Sequence, residues 1–435
     1  MPEDRETKEE RIRRLVEQFR KLLEEKLPDE PGTLEEIERV TQEIGEETKR
    51  DIESECVCWH GSGYIGSKVW CGCGGTAGFK NHYDKHQVTL SGELVIKRAY
   101  YYCKSCGSGF CPLDETLELD SLSTSVGVRT KLGRLASWLP FEEVAVELRE
   151  LLGIHVSKNT VERVAEAMGE RVKEERKARE VAVLSGQAEA PAKGPSRLYI
   201  GIDGTCVLMR GGGSHEVKTG VIYETEERDG KVVVRDPEYL ATLERVESFG
   251  EQVYSAAFGR GVEAAGEVVA LGDGAAWIWK SFAHHYPGAV EILDFFHASE
   301  HLNEVARAWH GDGTERAKLW VEARETDLLS DCVETVIRSI QCWRPEDDEG
   351  REVRRKNLLY FTNNKGRMRY ATFKAQGYHI GSGLVESACK TVVGQRLKQS
   401  GMRWSEVGAE SVLNLRTLLL SNRSADLTPY ARAIA

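Results

Sequence analysis

The chain has 435 residues, of which 40% are hydrophobic and 30% charged, with a formal net charge of −11. This composition is typical of a globular protein, and no apolar run reaches the ~18 residues needed to cross a bilayer. The charged start, Met1-Pro-Glu-Asp-Arg-Glu6, predicts the absence of a signal peptide and hence a cytoplasmic protein.

The acidic net charge does not exclude nucleic acid as a partner, because the charge is unevenly distributed. Residues 1–55 carry 19 acidic and 11 basic side chains, which leaves the rest of the chain close to neutral. Arg351–Lys374 holds eight basic residues and one acidic residue, and Lys390–Arg403 holds four basic residues and no acidic one. Local patches of this kind set the electrostatic field at a binding face.

Residues 1–55 are predicted to form a helical N-terminal arm. Apolar residues recur at helical spacing between Ile12 and Leu23 and again between Leu34 and Ile44. Pro28–Gly32 separates the two stripes, and Thr33–Glu36 is a capping box that starts the second helix. We interpret this segment as a packing or oligomerisation arm.

Residues 56–115 are predicted to be a zinc-ribbon-like region. Seven of the eleven cysteines fall there, and clustering of this kind in a cytoplasmic chain favours a metal over disulfides. Two glycine-bearing knuckles, Cys71-Gly-Cys73 and Cys103-Lys-Ser-Cys106, flank a predicted β-hairpin. Four thiolates would close a structural Zn²⁺ site. The first knuckle has one intervening residue instead of two, so further candidate ligands remain, namely Cys56, Cys58, Cys111, His82 and His86; unliganded buried thiols are the other alternative.

Residues 116–184 are predicted to be a helical DNA-binding region containing a helix-turn-helix. Phe141–Leu152 places Val144, Leu148 and Leu151 on one face, Gly153–Val156 makes a tight turn, and Ser157 caps the next helix. The residues expected to face a major groove are Lys158, Asn159, Thr160 and Arg163. An ordinary helical hairpin is the alternative, because the acidic residues of the second helix nearly offset its basic ones.

A linker at 185–196, rich in Ala, Gly and Pro, precedes the predicted core, whose first part spans 197–297. Strands are predicted at Leu198–Ile202, near Val217–Tyr223, and at Val232–Val234. A helix near Val246–Phe258 and a strand at Val268–Leu271 follow. Three meandering strands, a helix and a further strand are the order of a ribonuclease H-like α/β fold.

Two of these strands end in an Asp-Gly pair, at Asp203 and Asp273, and Glu386 stands just inside a predicted helix start. Carboxylates suit Mg²⁺, which prefers oxygen ligands. Two such ions can clamp the attacking and leaving oxygens of an in-line phosphoryl transfer. The strand predicted at Ala289–His297 ends in Asp294-x-x-His297. The alternative for each aspartate is an ordinary strand-end turn.

Residues 298–375 are predicted to be a helical insertion, since a stretch of this length cannot be a loop, and 376–435 form the C-terminal part of the core. The basic end of the insertion is predicted to face DNA, and the helix after Glu386 carries further cations; a solvated surface is the alternative. The residues predicted to contact DNA here are Arg355, Lys356, Lys390, Arg396, Lys398 and Arg403.

With these residues considered together, the chain resembles bacterial insertion-sequence DDE transposases, and among them the ISKra-type family, a relative of the Mutator-like and ISL-type groups. The resemblance covers about Cys71 to Ser421. The motifs that carry it are Tyr100-Tyr-Tyr-Cys-Lys-Ser-Cys-Gly-Ser-Gly109 with Pro112-Leu-Asp114, Gly201-Ile-Asp-Gly-Thr205, Gly272-Asp-Gly274, Asp294-Phe-Phe-His297 and Gly381-Ser-Gly-Leu-Val-Glu-Ser387.

The resemblance implies a ribonuclease H-like core with Asp203, Asp273 and Glu386 as Mg²⁺ ligands, and with Asp294 and His297 supporting the active site. It also implies DNA transposition, in which the ends of an insertion sequence are cut and their 3′-hydroxyls joined to target DNA. The expected partners are terminal inverted repeats, target DNA and at least one further copy of the chain, at the nucleoid. A nuclease that cuts without joining, and a transposase-derived DNA-binding protein without catalysis, are the alternatives.

Overall fold

The computed structural model describes residues 6–30, 32–228, 231–381 and 387–434. The chain divides into two compact units, Met1–Ala165 with Asp426–Ala435, and Glu166–Ala425. The last ten residues therefore group with the first unit. The predicted mixed α/β architecture is confirmed, with two sheets among many helices. No helix in the described ranges combines the length and apolar content that a membrane crossing requires.

The N-terminal arm consists of α1 (Lys8–Lys26) and α2 (Leu34–Cys58). Both helices begin with a capping box, from Thr7 and Thr33, and the second is the one predicted from the sequence. Leu22 and Ile44 are the buried apolar residues of the pair. The rest of the apolar stripe is largely exposed, because two helices bury only the faces that they turn toward each other.

A four-stranded antiparallel sheet follows, in the order β1-β2-β3-β4. Its strands are β1 (Lys68–Trp70), β2 (Thr76–Thr89), β3 (Gly92–Cys103) and β4 (Gly109–Phe110). β2 and β3 form the predicted hairpin around Ser91-Gly92, with both strands longer than expected. A small core of Val69, Ala77, Ala99 and Tyr101 lies beside buried Cys103.

Several helices belong to the first unit. They are α3 (Pro112–Thr116), α4 (Val126–Ala136), α5 (Phe141–Leu152), the beginning of α6 (Lys158–Leu184) and, from the C-terminal end, α16 (Thr428–Arg432). Val144 and Leu148 of α5 are fully buried, as are Val161 and Ala165 of α6. Leu151 is 66% exposed, so its prediction as an inward residue is wrong; the buried stripe of α5 ends one turn earlier, at Leu148.

The second unit is built on a five-stranded sheet in the order β7-β6-β5-β8-β9. β5 (Arg197–Leu208), β6 (Ser214–Arg228) and β7 (Lys231–Thr242) form an antiparallel meander, and β8 (Glu267–Gly272) and β9 (Val290–Leu293) run parallel to β5. α7 (Val246–Gly259) precedes β8, and α8 (Ala276–His285) joins β8 to β9. The elements follow the order predicted from the sequence, and strands buried on both faces explain their continuous apolar runs.

Residues 298–375 are mostly helical, as predicted, and the first of these helices begins earlier than expected, at Phe295. Their helices are α9 (Phe295–His310), α10 (Glu315–Leu328), α11 (Val333–Cys342), α12 (Asp348–Asn364) and α13 (Tyr370–Ala375). The apolar faces of α9 to α13 share one continuous core with the five-stranded sheet. Beyond the undescribed stretch come a π-helical turn at Cys389–Gly394, the short α14 (Gln395–Leu397), and α15 (Glu406–Ser421), which packs on β7.

Candidate functional site

Three aspartates, which we call the aspartate row, occupy adjoining positions on or just after β5, β8 and the edge strand β9. Ile202 of β5 pairs with Gly272 of β8, and Gly272 pairs with Leu293 of β9. The next residues of the three strands are Asp203, Asp273 and Asp294. Because neighbouring parallel strands deliver their carboxyl ends to one edge of the sheet, three carboxylates from distant parts of the sequence meet there.

Two strand ends differ from the sequence-based prediction. β5 was expected to end at Asp203, but it continues to Leu208 because β6 pairs with it along that whole length. Only the pairing with β8 stops at Ile202. The strand expected to reach His297 ends at Leu293, because Asp294 caps α9 and places His297 in the first turn of that helix.

Each carboxylate is oriented by a backbone N–H group. The N–H of Gly204 donates to Asp203 Oδ1 at 2.7 Å, that of Ala275 to Asp273 Oδ1 at 2.8 Å, and that of Phe296 to Asp294 Oδ1 at 2.7 Å. Asp203 is 8% exposed and Asp294 is fully buried. Carboxylates that are already fixed in this way would need little further ordering if a ligand bound to them.

Burial and mutual charge shift the pKa values of groups in and beside this row. Burial raises the pKa of Asp203, and the charge of Asp273 adds to the rise, although hydrogen bonds from the Cys389 thiol and the Gly204 N–H oppose it. Burial disfavours the His297 imidazolium, but the charges of Asp294, Asp203 and Asp273 together raise its pKa. A concentration of negative charge that perturbs its own members is typical of a functional site.

The donor atoms of the row are carboxylate oxygens, the kind of ligand that Mg²⁺ prefers. The three aspartates do not each bring an oxygen within 4.8 Å of the others; among the described residues only the four cysteines treated below have such a spacing. Glu386, the predicted third ligand, lies outside the described residues.

Cys389 is a site residue that the sequence analysis missed. Its thiol hydrogen-bonds to the carboxylate of Asp203, and burial together with the charge of Asp203 raises the pKa of the thiol, which keeps it a donor. It opens the π-helical turn at Cys389–Gly394, a geometry that is frequent at functional sites. The sequence could have indicated Cys389, because it follows Glu386 by three residues, which is about one turn of the helix predicted there.

Tyr360 of α12 contacts the backbone of the site next to Asp273. Its hydroxyl donates to the carbonyl oxygen of Asp273 at 2.9 Å, and its ring stacks on His301 with centroids 3.6 Å apart. The ring also passes close to Gly274, where an added Cβ would lie 2.5 Å from Tyr360 Cε2. Gly274 further adopts a φ of 103°, which favours glycine. Glycine is therefore required directly after Asp273, because any side chain at position 274 would clash with the Tyr360 ring.

The cations predicted to contact DNA occupy different environments. Arg355 and Lys356 are exposed and form ion pairs with Glu352 and Glu304. Lys390, Lys398 and Arg403 are exposed, and the Lys398 ammonium hydrogen-bonds to the Thr205 hydroxyl, two residues from Asp203. Arg396 is fully buried, with its guanidinium 4.9 Å from the Trp404 ring centroid. The structure therefore gives Arg396 a packing role and does not present it to solvent.

The glycine turn and the serine cap predicted between α5 and α6 are present. Gly153 ends α5 with a φ of 63°, and the Ser157 hydroxyl accepts a hydrogen bond from the Thr160 N–H at 3.1 Å. Lys158, Asn159 and Arg163 are exposed on the first turns of α6, and Thr160 is half-buried. Three of the four side chains predicted to contact bases are therefore exposed to solvent. One of the three, Lys158, also lies near an acidic residue, with its ammonium 3.7 Å from the carboxylate of Glu142.

The four cysteines favoured as zinc ligands come together in the first unit. The sulfurs of Cys71, Cys73, Cys103 and Cys106 all lie within 4.8 Å of one another, the one such group among the described residues. Cys71 Sγ is 3.6 Å from Cys106 Sγ, and Cys73 Sγ is 3.8 Å from Cys103 Sγ. Zn–S bonds of about 2.3 Å in a tetrahedron place the sulfurs about 3.8 Å apart, so the cluster fits a structural zinc. Of the competing ligands, His82 contacts Ser62 and His86 contacts Glu93.

Two comparisons with known proteins bear on this chain. The model of an uncharacterised protein family, UPF0236, matches residues 78–424. A protein of Streptococcus gallolyticus described as "UPF0236 protein in vanSb 3'region" is 24% identical over 348 residues, which cover 77% of this chain and 72% of that relative. The family model covers the aspartate row and Cys103 and Cys106, and it begins after Cys71 and Cys73. The chain belongs to the uncharacterised protein family UPF0236.

Proposed function

We propose that this protein is a DNA transposase of the DDE type, with a ribonuclease H-like core formed by β5 to β9 and the helices around them. The observation that carries the proposal is the row of Asp203, Asp273 and Asp294 at adjoining positions of three paired strands. The sheet order β7-β6-β5-β8-β9, with an antiparallel meander joined to two parallel strands, supports the fold assignment.

In this proposal Asp203, Asp273 and Glu386 hold two Mg²⁺ ions. When bound, such ions supply Lewis-acid activation of a nucleophilic oxygen and neutralise the charge that develops on the phosphate. The protein contributes position: backbone N–H groups fix the carboxylates, Cys389 donates to Asp203, and Tyr360 holds the backbone of Asp273. Phosphoryl transfer of this kind needs little more than positioning and charge stabilisation.

His297 has a supporting role in the proposed site. Its Nδ1 lies 3.1 Å from a Glu300 carboxylate oxygen, and its Nε2 lies 4.0 Å from Asp294 Oδ2. The surrounding carboxylates raise its pKa, which favours a positive charge beside the row. A charged imidazolium at this position would steady the buried Asp294 carboxylate and contact a bound DNA strand.

The first unit would supply DNA recognition. The zinc-ribbon-like region and the helix-turn-helix would bind the terminal inverted repeats, and the exposed cations of the second unit would contact phosphates. Holding two ends for a joining reaction calls for at least two copies of the chain.

A cleavage and joining assay tests the proposal. The DNA would carry the repeats that flank the gene, and the purified chain would be incubated with it and with a target plasmid in Mg²⁺. We expect strand breaks at the repeat ends followed by joined products. Breaks without joining would replace the proposal by a nuclease, and binding without breaks would replace it by a non-catalytic DNA-binding protein.

The helix-turn-helix can be separated from the phosphate-contacting cations by mutation. Asn159→Ala and Arg163→Ala should each weaken binding to a true end by about 1–3 kcal/mol and affect random duplex little, because side chains on these turns reach base edges. Arg403→Ala should weaken both DNAs equally and reduce the salt slope by about one unit. Titrations of both DNAs over a salt series measure this. Equal losses on both DNAs for Asn159 and Arg163 would make α5 and α6 an ordinary helical hairpin.

A further inference from the structure

Phe296 is exposed beside the aspartate row. It follows the α9 cap by two residues, and its N–H donates to Asp294 Oδ1 at 2.7 Å, so its backbone is fixed by a member of the row. The preceding residue, Phe295, turns inward and packs edge-on against Tyr370, with ring centroids 5.4 Å apart. Phe296 turns outward and is 54% exposed.

This exposure is unusual within the second unit. Among the described residues of Glu166–Ala425, Phe296 is the only exposed Phe, Tyr or Trp; the others are buried or half-buried. Single exposed apolar side chains are common on protein surfaces. The position of Phe296 is what singles it out, because it lies two residues from the buried carboxylate of Asp294 and therefore next to the proposed reaction site.

The ring also forms part of a cleft that runs along α9. The cleft has a volume of about 970 Å³, and its walls include Phe296, Ser299, Arg307, Lys318 and Lys356. Its charge is mixed: Lys356 is paired with Glu304 at 3.0 Å, and Glu300 is paired with His297 at 3.1 Å. A mixed, largely neutralised lining suits an uncharged planar group better than a phosphate.

We propose that Phe296 is a stacking platform for an unpaired nucleobase next to the phosphodiester on which the aspartate row acts. Every base offers a π-face, so an aromatic ring at this position binds one without reading its identity. The base would leave the duplex and enter the mouth of the cleft, which draws the adjacent phosphate toward Asp203 and Asp273. The inference rests on the proposed function and adds that the DNA end is bound with one base out of the helical stack.

The test is a mutant cycle between the ring and the base. Wild-type chain, Phe296→Ala and Phe296→Trp would be titrated with duplexes of the flanking repeat, intact or with a single abasic site at each position around the cleavage point. Ca²⁺, which takes the same class of oxygen ligand, would replace Mg²⁺. Phe296→Ala should weaken binding of the intact end roughly 5- to 150-fold, and Phe296→Trp should bind normally.

If the Phe296 ring contacts one nucleobase, the effects on binding of removing the ring and of removing that base should not add. At one position, removal of the base should weaken the wild-type chain as much as Phe296→Ala does, and the two changes together should cause no further loss. Leu319→Ala is the matched control, because Leu319 is 57% exposed on α10 but does not line the cleft; it should behave as wild type. Unchanged binding by Phe296→Ala, or losses that add at every position, would overturn the inference. Binding is the readout, so coupling without any DNA cleavage would count against the proposed activity alone.

Discussion

Replacing Asp203 by Asn is expected to reduce DNA cleavage and joining about a thousandfold or more while leaving end binding largely intact. The substitution removes a ligand charge but keeps the side-chain shape, and loss of several kcal/mol of metal-derived stabilisation corresponds to that factor. The same result is expected for Asp273→Asn and, from the sequence alone, for Glu386→Gln. Initial rates of strand breakage at saturating Mg²⁺, beside a binding titration of the same end, provide the measurement.

Glu334→Gln is a suitable control for these variants. Glu334 is an exposed carboxylate in the first turn of α11, so it carries the same charge change without a place in the row. It should cleave at the wild-type rate. Near-normal cleavage by Asp203→Asn or Asp273→Asn would show that the residue is not part of the catalytic set. Loss of DNA binding together with loss of cleavage would indicate that the variant is misfolded.

The second large effect is expected at the cysteine cluster. Cys103→Ser should abolish metal binding and unfold the β1–β4 sheet, because Cys103 is fully buried and its sulfur lies 3.8 Å from that of Cys73. A structural zinc contributes about 10–16 kcal/mol to small domains of this type, more than such a sheet can replace with its small core. Elemental analysis should find about one Zn²⁺ per wild-type chain and none in the variant, and hydrogen exchange should report unfolding of residues 68–110.

Cys111→Ser controls for the loss of a thiol in the same region. Cys111 was a candidate ligand from the sequence, but it is not a member of the four-sulfur cluster. It should retain the metal and the protection pattern of the wild-type chain. Wild-type protein that is stably folded over residues 68–110 without zinc would refute the assignment of a structural metal.

The sequence predicts those parts of the site that depend on local pattern. Cys71, Cys73, Cys103 and Cys106 were selected from two glycine-bearing knuckles around a hairpin, and the hairpin brings their sulfurs together. An apolar run followed by Asp-Gly likewise located the aspartates of β5 and β8, since a buried parallel strand has a recognisable composition and the tip that follows it carries the polar residue.

The features of the site that the sequence does not predict depend on contacts between residues that are distant in the sequence. β5 extends past Asp203 because β6 pairs with it, and nothing in the residues after Asp203 states the length of that pairing. Arg396 was predicted to face DNA from its charge, but Trp404 covers it. Tyr360 reaches Asp273 across 87 residues. Contacts of this kind depend on how the elements pack in three dimensions, and a single sequence does not show which distant residues come close together.

Gly274 carries a consequence for inheritance of the gene. Every missense change that one nucleotide can make in a glycine codon introduces a side chain with a Cβ, and at this position a Cβ meets both an unfavourable φ of 103° and the Tyr360 ring at 2.5 Å. No conservative substitution exists there. In copies of the gene that drift without selection, any missense change that reaches codon 274 should therefore disable the site, so a residue other than glycine there marks a decayed copy.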